Sequence, residues 1–240
     1  MTGNAATAAT FVLLMLPLPS SAAADPLSSP AGAGGRSCVE AIGYPVTQRP
    51  HVAFRRLEAD NPKSGRQGWM EVRTTLGSDG LLTVEVLSEG GSDYIRNKVL
   101  RAALQREQDL IAKRVRERDS AAPDTAPCLE PQPDESGLLR VAIGNTGRKD
   151  DGVVVGHMFL QPATGDLVRV AGRLSKNPSF WISQVDVEWN YARIGKDNVL
   201  PVSLYSTAKV KMFGVSTFRM TYDYLSVDGQ PVSNGSRASR

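Results

Sequence analysis

The chain has 240 residues, with 28 Lys and Arg against 25 Asp and Glu, a net charge of +3, two Cys and two His. So small a charge excess, without a recognisable binding module, argues against a nucleic-acid partner. Two separated Cys and two separated His do not make a metal site, and no G-x-S-x-G, H-E-x-x-H or phosphate-loop pattern occurs.

Residues 1–24 carry no charged side chain, and Phe11-Val12-Leu13-Leu14-Met15-Leu16 forms a short apolar run before Ala22-Ala23-Ala24 and Asp25. Small residues after a short apolar run describe a cleaved signal peptide, although the usual basic n-region is missing. The run is well short of the roughly 20 residues a membrane span needs. No Cys follows it, which disfavours a lipid anchor. A periplasmic or secreted protein is expected. Residues 25–48 and 229–240 read as flexible segments of small and polar residues. What remains is enough for one domain with its own core. Cys38 and Cys128 are a candidate disulfide in an oxidising compartment, but spacing alone leaves their pairing open.

The domain opens with three strands. His51–Leu57 is short and mixed, Gln67–Leu76 alternates after Pro62-Lys63-Ser64-Gly65, and Leu82, Val84 and Val86 alternate after Ser78-Asp79-Gly80. At Gly90-Gly91-Ser92-Asp93 the period changes from two to nearer four. Leu100, Leu104, Ile111 and Val115 share a stripe flanked by Ile95, Val99 and Ala103. With Ser92 or Asp93 as N-cap, this predicts one amphipathic helix over about 93–118. Between Asp93 and Asp119, eight Lys/Arg face five Asp/Glu, so the helix carries the whole charge excess of the chain. Its exterior residues Arg101, Arg106 and Arg114 read either as a solvated face or as a surface for an anionic membrane or an acidic envelope protein.

Residues 120–136 hold four prolines and form a linker. Strands resume at Leu138–Gly144. After the Asn145–Asp151 turn comes Val153–Leu160, and after Pro162-Ala163-Thr164-Gly165-Asp166 comes Leu167–Leu174. The last third is the clearest part. Trp181, Val185, Val187, Trp189 and Tyr191 share one parity; Val202, Leu204, Ala208, Val210 and Met212 follow; Phe218, Met220, Tyr222 and Tyr224 close the pattern. A period of two with short turns means antiparallel strands, one face dry and one wet. The chain is thus α+β, with about eight or nine antiparallel strands and one long helix, and no parallel βαβ unit.

Several segments carry a resemblance. The Gly91-Ser92-Asp93-Tyr94-Ile95-Arg96-Asn97-Lys98-Val99-Leu100 helix start, Lys176-Asn177-Pro178-Ser179-Phe180-Trp181-Ile182, Asn198-Val199-Leu200-Pro201 and the Phe213-Gly214 hairpin are similar to exported proteins of the outer-membrane lipoprotein-sorting type, the LolA/LolB superfamily. Over residues 49–228 the resemblance implies a strongly curved antiparallel sheet, an unclosed β-barrel, covered by helix. It also implies a monomeric carrier that takes a lipid or a lipoprotein acyl chain without chemistry or cofactor. Leu100, Leu104, Ile111, Phe159, Trp181, Trp189, Phe218, Met220 and Tyr222 are the candidate lining, since aromatic and flexible side chains adapt to variable apolar guests. The rival readings are an envelope interaction module using the basic helix and, more remotely, a hydrolase. For the hydrolase, His51 and His157 stand in no catalytic setting, and Asp186 and Glu188 lie on the wet parity of their strand.

Overall fold

The computed structural model describes residues 49–117, 131–143, 154–177, 180–195 and 198–232. The expected signal peptide, the 25–48 segment, both cysteines, most of the proline-rich linker and the Asn145–Asp151 turn lie outside the described residues.

Among the described residues, eleven strands build one sheet: β1 His51–Asn61, β2 Arg66–Leu76, β3 Leu82–Gly91, β4 Gln132–Pro133, β5 Leu139–Ile143, β6 Val154–Leu160, β7 Leu167–Leu174, β8 Ile182–Ile194, β9 Asn198–Val210, β10 Gly214–Val227 and β11 Gln230–Pro231. Their order is β3-β2-β1-β10-β9-β8-β7-β6-β5-β4, with β11 on the end of β10. Every pairing is antiparallel. The count exceeds the expected eight or nine because of β4 and β11. These are two-residue strands in segments read as linker and tail, too short to print a period of two.

The first strand, β1, pairs with the last long one, β10, so the sheet is continuous from β3 to β4 but its two edges do not meet. It is curved and open. One buried cluster runs across its inner face, from Leu57 and Met70 toward one edge to Val141 and Met158 toward the other. Across the middle of the concave face, Trp189, Leu204, Met220, Leu57 and Met70 stand side by side on successive strands. Burying each such side chain contributes roughly 1.5–3 kcal/mol. β6 and β7 approach each other closely where Gly156 pairs with Gly172. A Cβ on Gly156 would come 2.1 Å from the Ala171 carbonyl oxygen, so no larger residue fits this approach.

One helix, α1, runs through Asp93–Ile95, a π turn at Arg96–Leu100, and Arg101–Glu117. Ser92 is its N-cap, though its side chain makes no capping hydrogen bond, and Asp93 follows in the first turn, where a carboxylate favours the helix dipole. The π turn inserts one residue into the helical repeat. It brings Ile95, Val99, Leu100, Ala103, Leu104 and Glu107 together on the buried side. Ile95 sits above Gly68 of β2, its Cγ2 2.9 Å from where a Cβ would lie. At the other end Val115 reaches the Gly80 turn, and the Gln108 amide donates to the Leu82 carbonyl at 3.0 Å. The helix therefore lies along β1–β3, one side of the concave face. No described helix is long and apolar enough to cross a membrane.

Candidate functional site

Five of the expected lining residues come together in one buried cluster, two of them from the helix itself. Leu100, Leu104, Trp189, Phe218 and Met220 are all buried in one apolar cluster, and Tyr222 packs against it. Ile111 is only half-buried, near the outer end of α1. Two residues lie elsewhere. On β6, Val154, Met158 and Leu160 take the concave face, so Phe159 points to the convex side, where Arg169 lies 4.1 Å over its ring and His157 tilts against it at 6.4 Å. Trp181 precedes β8. A register shift between Ile182 and Gln184 turns Ile182 into the core in its place.

Of the three arginines of the expected basic surface, Arg101, Arg106 and Arg114, the structure describes the side chains of the first two. Arg101 is bound to Glu89 of β3 at 2.7 Å, and Glu89 also holds Arg96 at 2.8 Å, so these charges fasten the base of the helix. Arg106 is half-buried, with an Nε that has no partner. The side chain of Arg114 lies outside the described residues. Asp186 is paired with Arg173 at 2.9 Å on the convex face, and among the described residues no three His, Cys, Asp or Glu side chains gather to hold a metal.

The least expected feature is a charge inside the apolar face. Arg55 of β1 shares its parity with Ala53, Leu57 and Ala59, all buried. Its Nη1 donates to both Glu107 oxygens, at 2.9 and 2.7 Å, and the two side chains are 3% and 9% exposed. Burial works against the Arg55 charge, but the Glu107 carboxylate together with the Tyr222 and Tyr224 hydroxyls outweighs that penalty and raises its pKa. The guanidinium lies 4.7 Å over the Tyr222 ring, and its Nε is buried without a partner. Tyr222 stacks on Tyr224 at 6.1 Å, whose hydroxyl donates to the Pro201 carbonyl at 2.9 Å. Tyr191, Tyr222 and Tyr224 are all pushed above the ordinary phenol value by burial. A polar island thus separates the main apolar cluster from a smaller one around Ala53, Leu200 and Val227. In the sequence, Arg55 looked like one polar residue in a mixed strand and Glu107 like one charge on a charged helix. The one available signal was that Glu107 falls three residues after Leu104, on the apolar stripe.

His51 borders this island, 5.4 Å from Tyr224 and edge-on to it, with Nδ1 donating to the Arg49 carbonyl at 2.9 Å. Burial lowers its pKa below the ordinary 6.5, more than the hydrogen bond raises it. The unfolded chain therefore takes up this proton first. Stability supplied by neutral His51 is present above pH 6.5 and is lost as the pH falls below that value toward the folded pKa. Urea midpoints measured between pH 7.5 and 5 should fall more steeply for the native chain than for His51→Gln.

No protein-family model matches the chain, and no curated protein or solved structure matches it.

Proposed function

We propose that this is an exported, non-enzymatic carrier of the lipoprotein-sorting type, taking an acyl chain onto the concave face of the sheet with α1 as a displaceable cover. The observation that carries the reading is the character of that cover. A continuous apolar floor lies beneath an amphipathic helix joined to it by a buried ion pair, Arg55–Glu107. An ion pair in such a place is a poor source of stability, since desolvating two charges offsets most of their attraction. It is a good latch, because it holds one arrangement and is lost as a unit when the helix lifts. Removing the floor from water again on ligand entry supplies the driving force, at about 25 cal/mol per Å² of apolar surface. Phe218, Met220 and Trp189 provide a floor that can repack around chains of different shape.

The test is ligand retention. The protein is isolated from its host without detergent and examined by native mass spectrometry, alongside an organic extract. An added mass matching an acyl compound in the extract supports the carrier reading. A chain that emerges at its bare mass, and gains none after incubation with host phospholipid, contradicts it.

A further inference from the structure

One end of the sheet is built unlike the rest. Phe180 is 77% exposed and Met212 76%, with Phe213 and Val215 about half exposed beside them. Three parts of the chain meet there. The Lys211 amide donates to the Trp181 carbonyl at 2.7 Å, the Lys211 ammonium lies 4.0 Å over the Phe180 ring, and the Lys63 side chain lies against Gly214. This joins the β1–β2 turn, the segment before β8 and the β9–β10 turn. In sequence these three places read Pro62-Lys63-Ser64-Gly65, Ser175–Trp181 and Lys211-Met212-Phe213; each contains a lysine and none contains an Asp or Glu.

The backbone sharpens the point. Met212 has φ 68°, the left-handed region where Gly, Asn or Asp sits more easily than a large apolar residue. The turn thus holds a thioether out in water, beside two open phenyl rings, at a position where a small polar residue would be less strained. Nothing in the core requires this. Apolar tips with a lysine collar and no acidic residue complement one environment well, an interface whose surface is anionic and whose interior is apolar.

We propose that this end of the sheet docks on an anionic phospholipid bilayer, with Phe180, Met212 and Phe213 entering the headgroup–acyl boundary and Lys63 and Lys211 meeting the phosphates. The surface is distinct from the concave face and does not depend on the carrier reading.

The test uses full chains, so that residues 1–48 contribute equally to every comparison. Partition onto vesicles of phosphatidylglycerol and phosphatidylcholine is measured by flotation, against vesicles of phosphatidylcholine alone. The triple variant Phe180→Ser, Met212→Asn, Phe213→Ser should partition about a hundredfold less well onto anionic vesicles, and Lys63→Glu with Lys211→Glu about tenfold less or worse. All altered side chains lie at exposed turns, and an unchanged circular dichroism spectrum and urea midpoint confirm the fold. Brominated anionic lipid should quench tryptophan fluorescence, and Trp181→Phe should remove most of that quenching. The proposal is overturned by any of three results: unchanged partition of the triple variant, equal binding to neutral vesicles, or quenching that survives Trp181→Phe. Capture of a soluble protein through these residues without vesicle binding would overturn it too.

Discussion

Urea unfolding of a Glu107→Gln variant should show a loss of about 3–5 kcal/mol, the usual cost of leaving one buried charge without its partner. The loss is large because Arg55 has nowhere else to turn. Its side chain is 3% exposed, its Nε already lacks a partner, and its neighbours on the concave face are the Tyr222 ring and Val72. Arg55→Met alone should also destabilise, because it leaves the 9% exposed Glu107 carboxylate without its partner. The double variant Arg55→Met, Glu107→Leu should recover most of the loss, since an apolar pair of similar volume avoids the desolvation of both charges. The resulting cycle gives a coupling energy of at least about 1.5 kcal/mol for a close buried pair. A single-variant cost below about 0.5 kcal/mol would show that the pair is solvated and holds nothing.

The second large effect is steric. Gly156→Ala should destabilise by about 3 kcal/mol or prevent folding altogether, the upper range for forcing atoms into a packed site. The obstacle is backbone, the Ala171 carbonyl and the Gly172 Cα on the facing strand, and a carbonyl in a ladder cannot swing aside as a side chain can. Gly172→Ala should behave alike, meeting the Val155 carbonyl oxygen at 2.5 Å. Val155→Thr, on the exposed face of the same strand, is the control and should change the urea midpoint little. If Gly156→Ala matches that control, β6 and β7 do not approach so closely as described.

How much of this was legible in the sequence depends on whether a residue's surroundings are local. The long strands were readable because each buries one face, and half-burial prints a period of two whatever lies opposite. The helix was readable because Gly90-Gly91 stops a strand and Ser92-Asp93 starts a helix on the same few residues. The π turn was not, since apolar residues at 95, 99, 100, 103 and 104 suit an ordinary wide stripe equally well. The side that Phe159 faces is not legible, because Val153–Leu160 is apolar on both parities; the arginine that covers it, Arg169, lies on the neighbouring strand and is brought there only by register. Trp181 failed for a related reason. A single bulge at the start of β8 reverses which residue faces in, and bulges leave no compositional mark when both candidates are apolar. The Arg55–Glu107 pair is the hardest case, because a buried charge is recognisable only when its partner, 52 residues away, is known to lie opposite.

A carrier of this design must accept an acyl guest on its concave face when α1 yields. The most direct measurement is equilibrium binding of a fluorescent hexadecanoyl probe to delipidated protein and to its Glu107→Gln variant. The expected result is saturable binding of one probe per chain, tighter in the variant because the latch no longer opposes entry, even though the variant is less stable. Absence of saturable binding in both proteins, or binding weakened by Glu107→Gln in step with stability, would contradict the account and leave the ion pair as a fastening of an ordinary core.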